Sequence, residues 1–250
     1  MDNTGKFTNK ADHYVKYRPS YPKEFIDYLS SEAGFGKDSV VADVGAGTGI
    51  LTKLLLDQVQ SVFAVEPNPE MRHAGEKFCG EYKNYISVDG SAEATSLPDQ
   101  SADFITVAQA FHWFDRERAG VEFRRILKPG GLVVLVWNSR IGSSAFIQEN
   151  DELCRRICPD FNGFSGAIGE DATICDFFRN GKCETRLFNN SRLLSLEEYI
   201  GSSLSASYAP LEGEPNYKAF IEGLTKLFEK YGSCGKLLLP NNTRSYAGLL

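Results

Sequence analysis

The stretch Val40-Val-Ala-Asp-Val-Gly-Ala-Gly-Thr-Gly-Ile-Leu-Thr52 decides the fold. Val40 to Val44 reads as a buried β-strand, Gly45 to Gly49 as a tight turn, and Ile50 onward as a helix with Ile50, Leu51, Leu54 and Leu55 on one face. Strand, glycine turn and helix together make a nucleotide-cofactor cradle. Glycines admit positive φ and the close approach of a ligand, and the first helical N–H groups have no partner within the helix.

The spacing bears on which cofactor this is. A dinucleotide turn has the form Gly-x-Gly-x-x-Gly, and here Ile50 stands where its last glycine would fall. Asp43, two residues before Gly45, would repel a pyrophosphate and attract a ligand bearing a cationic amine and a sulfonium. That sign of charge favours S-adenosylmethionine over a nicotinamide dinucleotide. Asp43 to Gly49 has the form acid-x-Gly-x-Gly-x-Gly and so resembles the first motif of the class I S-adenosylmethionine-dependent methyltransferases. The bland alternative is a glycine-rich structural turn.

A chain of 250 residues, 42% hydrophobic and 24% charged, can bury one sizeable core with a small appended lobe. The net charge is −6, and Lys and Arg gather only in short pairs such as Arg124-Arg125 and Arg155-Arg156, which disfavours nucleic acid as a partner. Met1 to Lys6 has no apolar h-region, and Leu132 to Trp137 is too short to span a bilayer, so the expectation is a cytoplasmic protein with no membrane partner. The six cysteines are expected to be small buried or half-buried thiols rather than disulfides or metal ligands. His13, His73 and His112 are too scattered to suggest a metal site.

In chain order, Phe7, Tyr14, Tyr17 and Tyr21 surround His13 and Arg18, ending in Tyr17-Arg-Pro-Ser-Tyr-Pro22. Tyr14, Tyr17 and Arg18 fall within one helical turn, so the segment can fold across the cofactor site and present a guanidinium to a carboxylate; alternatively its rings only pin it to the core. Pro22 opens a helix with Phe25, Ile26 and Leu29 on one face, ending near Gly34. Ser61 to Glu66 is a second strand, with Glu66 at its carboxyl end, where an acid accepts from ribose hydroxyls, and Pro67 beside it. Asn68-Pro69-Glu70 caps a helix through Phe78, with His73 on its outer face. Tyr85 to Val88 is a third strand, and Asp103 to Ala110 a fourth, containing Gln109 and followed by Phe111-His-Trp-Phe-Asp115. Asp115 caps a helix with Ala119, Phe123, Ile126 and Leu127 inside, and Pro129-Gly-Gly131 stops it before a fifth strand, Leu132 to Trp137. Alternation of strand and helix implies parallel pairing with right-handed crossovers. Beyond Asn138 the alternation ends: helices are expected near 145–158, 196–205 and 217–231, with strands near 183–188 and at the carboxyl end.

The resemblance covers residues 40–137 motif by motif. It implies an α/β, doubly wound, mostly parallel seven-stranded sheet, the Rossmann-like methyltransferase fold, whose last two strands close it as a hairpin. The three parts expected are a cofactor-covering segment at 1–34, the S-adenosylmethionine-binding core at 35–138, and at 139–250 an inserted helical lid with the closing strands. In that family the turn after the third strand lies under the adenine. Here Gly90-Ser-Ala-Glu93 puts Ser91 where the family has aspartate and Ala92 beside it, leaving a hydroxyl as the weaker acceptor. Tyr17 to Pro22 and Ala110 to Asp115 look like the type 11 clade and trans-aconitate methyltransferase.

The activity implied is methyl transfer to a small-molecule acceptor, a carboxylate or a hydroxyl. It needs alignment and exclusion of water but no covalent residue. The cofactor set is Tyr14, Arg18, Asp43, Gly45, Ala46, Gly47, Glu66, Pro67, Ser91, Ala92 and Gln109, with rings of Phe111 to Phe114 to hold a cationic donor. His112 is the candidate base for a hydroxyl or amine, although a pocket-wall ring is the preferred role. Arg18, Arg116, Arg140 and Arg244 are each able to meet an acidic substrate. The competing assignments are an NAD(P)-dependent oxidoreductase, disfavoured by Asp43 and Ile50, and a cofactor-binding protein without turnover.

Overall fold

The computed structural model describes residues 17–142, 144–164 and 171–250. Its centre is β1 (Val40–Val44), flanked by β2 (Ser61–Val65) on one side and β4 (Ala102–Ala108) on the other, both parallel to it. With β3 (Tyr85–Val88), β5 (Leu127–Arg140), β6 (Glu184–Asn189) and β9 (Asn241–Gly248), the sheet has seven strands in the order β3-β2-β1-β4-β5-β9-β6. Only β9 runs against the rest, pairing antiparallel with both β5 and β6.

Strand periodicity divides the core into two layers. Val41, Val134 and Val136 face α1 (Lys23–Ser31) and α2 (Ile50–Leu56), in a cluster with Phe25, Leu29, Leu51 and Leu55. Ala42, Val44, Ile105, Val133 and Leu135 face the opposite layer, where α4 (Arg116–Ile126) supplies Phe123 and Ile126. Between β2 and β3 lies α3 (Pro69–Cys79), opened by Asn68, whose side chain accepts from the Glu70 and Met71 amides. His73 is exposed on it.

Two strand bounds differ from the sequence expectation. The fourth ends at Ala108 because Gln109 takes a φ of +58° and turns the chain out of the sheet. The fifth runs from Leu127 to Arg140: Pro129-Gly-Gly131 does not precede it but makes an irregularity within it, where the register shifts between the Ala102 and Phe104 pairs, and β9 extends it to Arg140. The closing strands also make no hairpin.

Between β5 and β6 come α5 (Ala145–Ile157) and α6 (Asp171–Cys175). Between β6 and β9 come β7 (Arg192–Leu194), α7 (Leu196–Leu204), α8 (Tyr217–Tyr231) and β8 (Leu237–Leu239). The lid has its own core of Phe146, Leu153, Tyr199, Phe220 and Leu224, with Leu194 of β7 and Leu239 of β8.

The cysteine expectation needs correction. Cys175 and Cys183 are disulfide-bonded, because a turn at Arg179–Gly181, with Asn180 at φ 56°, brings their Cα atoms to 5.5 Å. Cys79, Cys154 and Cys158 are buried thiols, and Cys234 is exposed.

Candidate active site

The glycine turn is shaped by its neighbours. Gly45 and Ala46 donate their amides to the Val65 carbonyl at 2.9 and 3.1 Å, tying the turn to the end of β2. Gly45 has a φ of 72°, and a Cβ on it would lie 2.6 Å from the Ala110 Cβ and 3.3 Å from the Phe114 ring, so both backbone and space demand glycine. Thr48 is 1% exposed, and its buried hydroxyl has no hydrogen-bond partner among the described residues.

Asp43 does not form a charged lip. It shares the strand face of Val41, toward α2, and is 1% exposed, accepting from the Thr52 hydroxyl at 2.6 Å and the Thr106 hydroxyl at 2.8 Å. Burial pushes its carboxyl above the ordinary range, against those hydrogen bonds. The residue braces β1, β4 and α2 beneath the turn.

Glu66 stands where the sequence places it, just past β2. Its carboxylate accepts from the Gly47 amide at 2.8 Å and the Asn68 amide at 2.9 Å. Burial raises its pKa, and the two amides oppose that rise. Each oxygen keeps further acceptor capacity for a ligand hydroxyl. Arg72 donates to the Glu66 carbonyl at 2.8 Å and to Asp89 at 3.1 Å, steadying the adjoining loops.

Arg18, Gly45, Ala46, Gly47 and Gln109 line a depression of about 40 Å³ over the turn. A cavity of about 150 Å³ adjoins it, lined by Arg18, Gln109, His112, Trp113, Arg140 and Arg192 among others. Arg18, Pro19 and Gln109 line both and form the wall between them. Gln109 is held by its amide on the Val136 carbonyl at 2.9 Å and by its side chain on the Asn138 carbonyl at 3.2 Å.

His112 lies in the larger cavity, and its buried Nδ1 has no hydrogen-bond partner among the described residues. Burial, aided by the nearby Arg18 charge, lowers its pKa to about 4. The imidazole is therefore neutral at pH 7 and a weak base.

The ring cluster needs correction, because Phe111 is fully buried against Phe114, Trp137 and Phe177 and belongs to the core. Phe114 packs beside Gly45, leaving Trp113 and the His112 imidazole as the rings of that run in the cavity. Ser91 and Ala92 lie in the turn after β3 and line neither cavity; Ala92 is buried, 4% exposed, in the core layer of Val44 and Phe123. The Ser91 hydroxyl accepts from the Glu93 amide at 3.3 Å. Tyr14 lies outside the described residues. Arg116 lies over the Phe111 ring and Arg244 sits on β9, and neither lines the cavity.

Two contributors and one contact escape the sequence. Arg192 enters the cavity from β7, which only the lid's pairing with β8 positions. Asn138 donates to the Pro19 and Ser20 carbonyls at 3.3 and 3.2 Å, pinning the segment that carries Arg18. The Tyr17 hydroxyl donates to Glu197 at 2.7 Å, and its ring lies on Gly201, where a Cβ would come within 2.5 Å of it. A glycine inside a helix was the one available signal for this contact.

Among the described residues no helix is long and apolar enough to cross a membrane, and no three His, Cys, Asp or Glu side chains gather to hold a metal ion. The glycine turn open to a depression, the orphaned Thr48 hydroxyl and the Glu66 carboxylate fit an adenosyl amino-acid cofactor.

Comparison with known proteins agrees. Residues 42–135 match the type 11 methyltransferase domain. An uncharacterised methyltransferase-like protein of Schizosaccharomyces pombe is 30% identical over 244 residues, covering 96% of this chain and 93% of its own. An uncharacterised methyltransferase of Mycobacterium tuberculosis is 39% identical over 155 residues, covering 62% of this chain but only 61% of the relative. A solved protein of Anaeromyxobacter dehalogenans, assigned to the type II methyltransferases, superposes with a TM-score of 0.67 at 20% identity, over 93% of this chain and 98% of its own, which establishes the fold.

Proposed function

This chain belongs to the type 11 methyltransferases, a class I family that draws its methyl group from S-adenosylmethionine, and on that premise we propose that it methylates a small-molecule acceptor held beneath its lid. The observation that carries this is the shared wall: Arg18, Pro19 and Gln109 border both the depression over the glycine turn and the cavity under the lid. A donor on one side and an acceptor on the other then meet at that wall.

Gly45, Ala46, Gly47, Glu66, Pro67, Ser91, Ala92, Arg18, Gln109 and Tyr14 are the residues assigned to the donor, with Asp43 supporting from below. When bound, S-adenosylmethionine supplies a methyl group activated on a positively charged sulfur. The protein has to orient the acceptor and keep water out. The segment 17–34, the described part of the cofactor-covering region, contributes through the Asn138 and Tyr17 contacts.

His112 is assigned to the cavity wall, since an imidazole with a pKa of about 4 removes a proton from a hydroxyl or ammonium poorly. A carboxylate acceptor, which needs no base, suits such a wall better than a hydroxyl. The likeness of Tyr17 to Pro22 and Ala110 to Asp115 to trans-aconitate methyltransferase points the same way. The NAD(P)-dependent alternative loses its support with the family assignment. Titration with S-adenosylhomocysteine and with NAD, followed by mass measurement after incubation with an acceptor library, tests the assignment. Binding of the former and gain of one methyl group are expected; donor binding without product across the library would favour the non-catalytic alternative.

A further inference from the structure

The cavity under the lid concentrates positive charge in a chain that is acidic overall, with 33 Asp and Glu against 27 Lys and Arg. Arg18, Arg140 and Arg192 all line it, and none of its described lining residues is acidic. Arg140 is the last residue of β5 and Arg192 the first of β7, so one comes from the sheet and the other from the lid. The Arg140 guanidinium lies 3.8 Å from the Phe164 ring centre, and its Nη1 is buried with no hydrogen-bond partner among the described residues. Arg192 donates from Nη2 to the Ser202 hydroxyl at 3.0 Å, while its Nε is likewise buried and unpartnered there. Burial and the adjacent Arg140 charge hold the Arg192 guanidinium below its ordinary range, and Glu198 counters this only in part. The Glu198 carboxylate accepts from the Ser195 amide at 2.7 Å in the capping box of α7.

Buried guanidinium groups persist when an anion satisfies them, and their planar fork matches the oxygens of carboxylate and phosphate. Arginines that only tied lid to sheet would use these N–H groups on carbonyls or acids of the chain itself. We propose that Arg140 and Arg192 form an oxyanion clamp, which binds a carboxylate or phosphate group of the acceptor apart from the atom that is methylated. The clamp rests on the cavity being the acceptor site, and adds to that assignment the acceptor's charge and the residues that select it. Both arginines lie outside the 42–135 match, so the clamp belongs to this chain's own acceptor region rather than to the shared core. Trp113 and Tyr208 in the same wall suit an organic anion better than a bare ion.

The test is calorimetric titration of the full chain saturated with S-adenosylhomocysteine. Tricarballylate and glycerol 3-phosphate serve as carboxylate and phosphate probes, with tricarballylamide and glycerol as their neutral counterparts. One anion is expected to bind roughly tenfold or more tightly than its neutral counterpart, and to weaken as salt is raised. Which anion binds identifies the group the clamp takes. Arg140→Gln and Arg192→Gln should each weaken that anion roughly tenfold and leave S-adenosylhomocysteine affinity within about twofold. Equal binding of charged and neutral probes, no binding of either anion, or unchanged anion affinity in both variants would overturn the clamp. Should a glutamine variant fail to fold, Arg192→Lys decides: it keeps the charge and loses the fork, so the anion must weaken there too. Failure of S-adenosylhomocysteine to bind the wild-type chain would sink the donor assignment instead, and the same anion titrations on the unsaturated chain would still judge the clamp.

Discussion

The Glu66 carboxylate accepts the amide hydrogen of Gly47 at 2.8 Å, so the acid at the end of β2 and the glycine turn after β1 hold each other in place. The acid proposed to meet the donor's ribose thereby also fixes the glycine turn beside it. Glu66→Ala should abolish the calorimetric signal of S-adenosylhomocysteine. Glu66→Gln, which keeps one acceptor oxygen but turns the other site into a donor, should weaken it by about 1.5–3 kcal/mol. Full-strength binding by Glu66→Ala would remove Glu66 from the site.

Gly45 and Gly130 both have positive φ, of 72° and 82°, but only Gly45 is crowded: a Cβ at Gly130 meets nothing within 4 Å. Gly130→Ala should cost on the order of 1 kcal/mol from backbone strain alone. Gly45→Ala adds a clash with Ala110 and Phe114 and should cost at least about 1 kcal/mol more, as well as impairing cofactor binding. Urea unfolding of the two variants compares them directly.

Asp43 depends on two hydroxyls in a site with almost no exposure. Thr106→Val keeps the side-chain shape and removes the donor, so it should destabilise the chain by about 1–3 kcal/mol. Thr52→Val should do the same. A loss well under 1 kcal/mol in both variants would mean that Asp43 is not braced as described.

His112 sets an acid limit on stability. Its imidazole protonates near 6.5 when exposed but near 4 in the fold, so between these values the unfolded chain binds the extra proton. The contribution is complete above about pH 6.5, shrinks as pH falls, and is gone below about 4, with a ceiling of about 3 kcal/mol. His112→Gln should flatten the difference in unfolding midpoint between pH 7 and pH 4.5 relative to wild type. As a wall residue, it should also leave kcat within roughly tenfold of wild type, whereas a general base would cost on the order of a hundredfold or more.

The sequence by itself determined the sheet's first half and the pairing of a glycine turn with an acid at the end of the next strand. Those signals are local: the apolar run of β1, the glycines after it, the Asn68 cap and the acid after β2 each act within a few residues of chain. It could not determine which of the two layers each strand residue meets. Asp43 therefore read as a lip when its face is covered by α2 and Thr52, and Phe111 read as a site ring when it fills the core. On the acceptor side the sequence offered Arg18, Arg140 and His112 as candidates, and tertiary structure decided which side chains share a cavity. Arg140 and Arg192 come to one cavity only because β9 extends β5 and β8 positions β7, pairings between segments far apart in the chain. Cys175 and Cys183 meet through a left-handed turn at Asn180-Gly181, a dipeptide that marks a turn without saying which side chains the turn brings together. Periodicity fixes what a segment becomes, and only the closing of distant segments onto one another fixes what it faces.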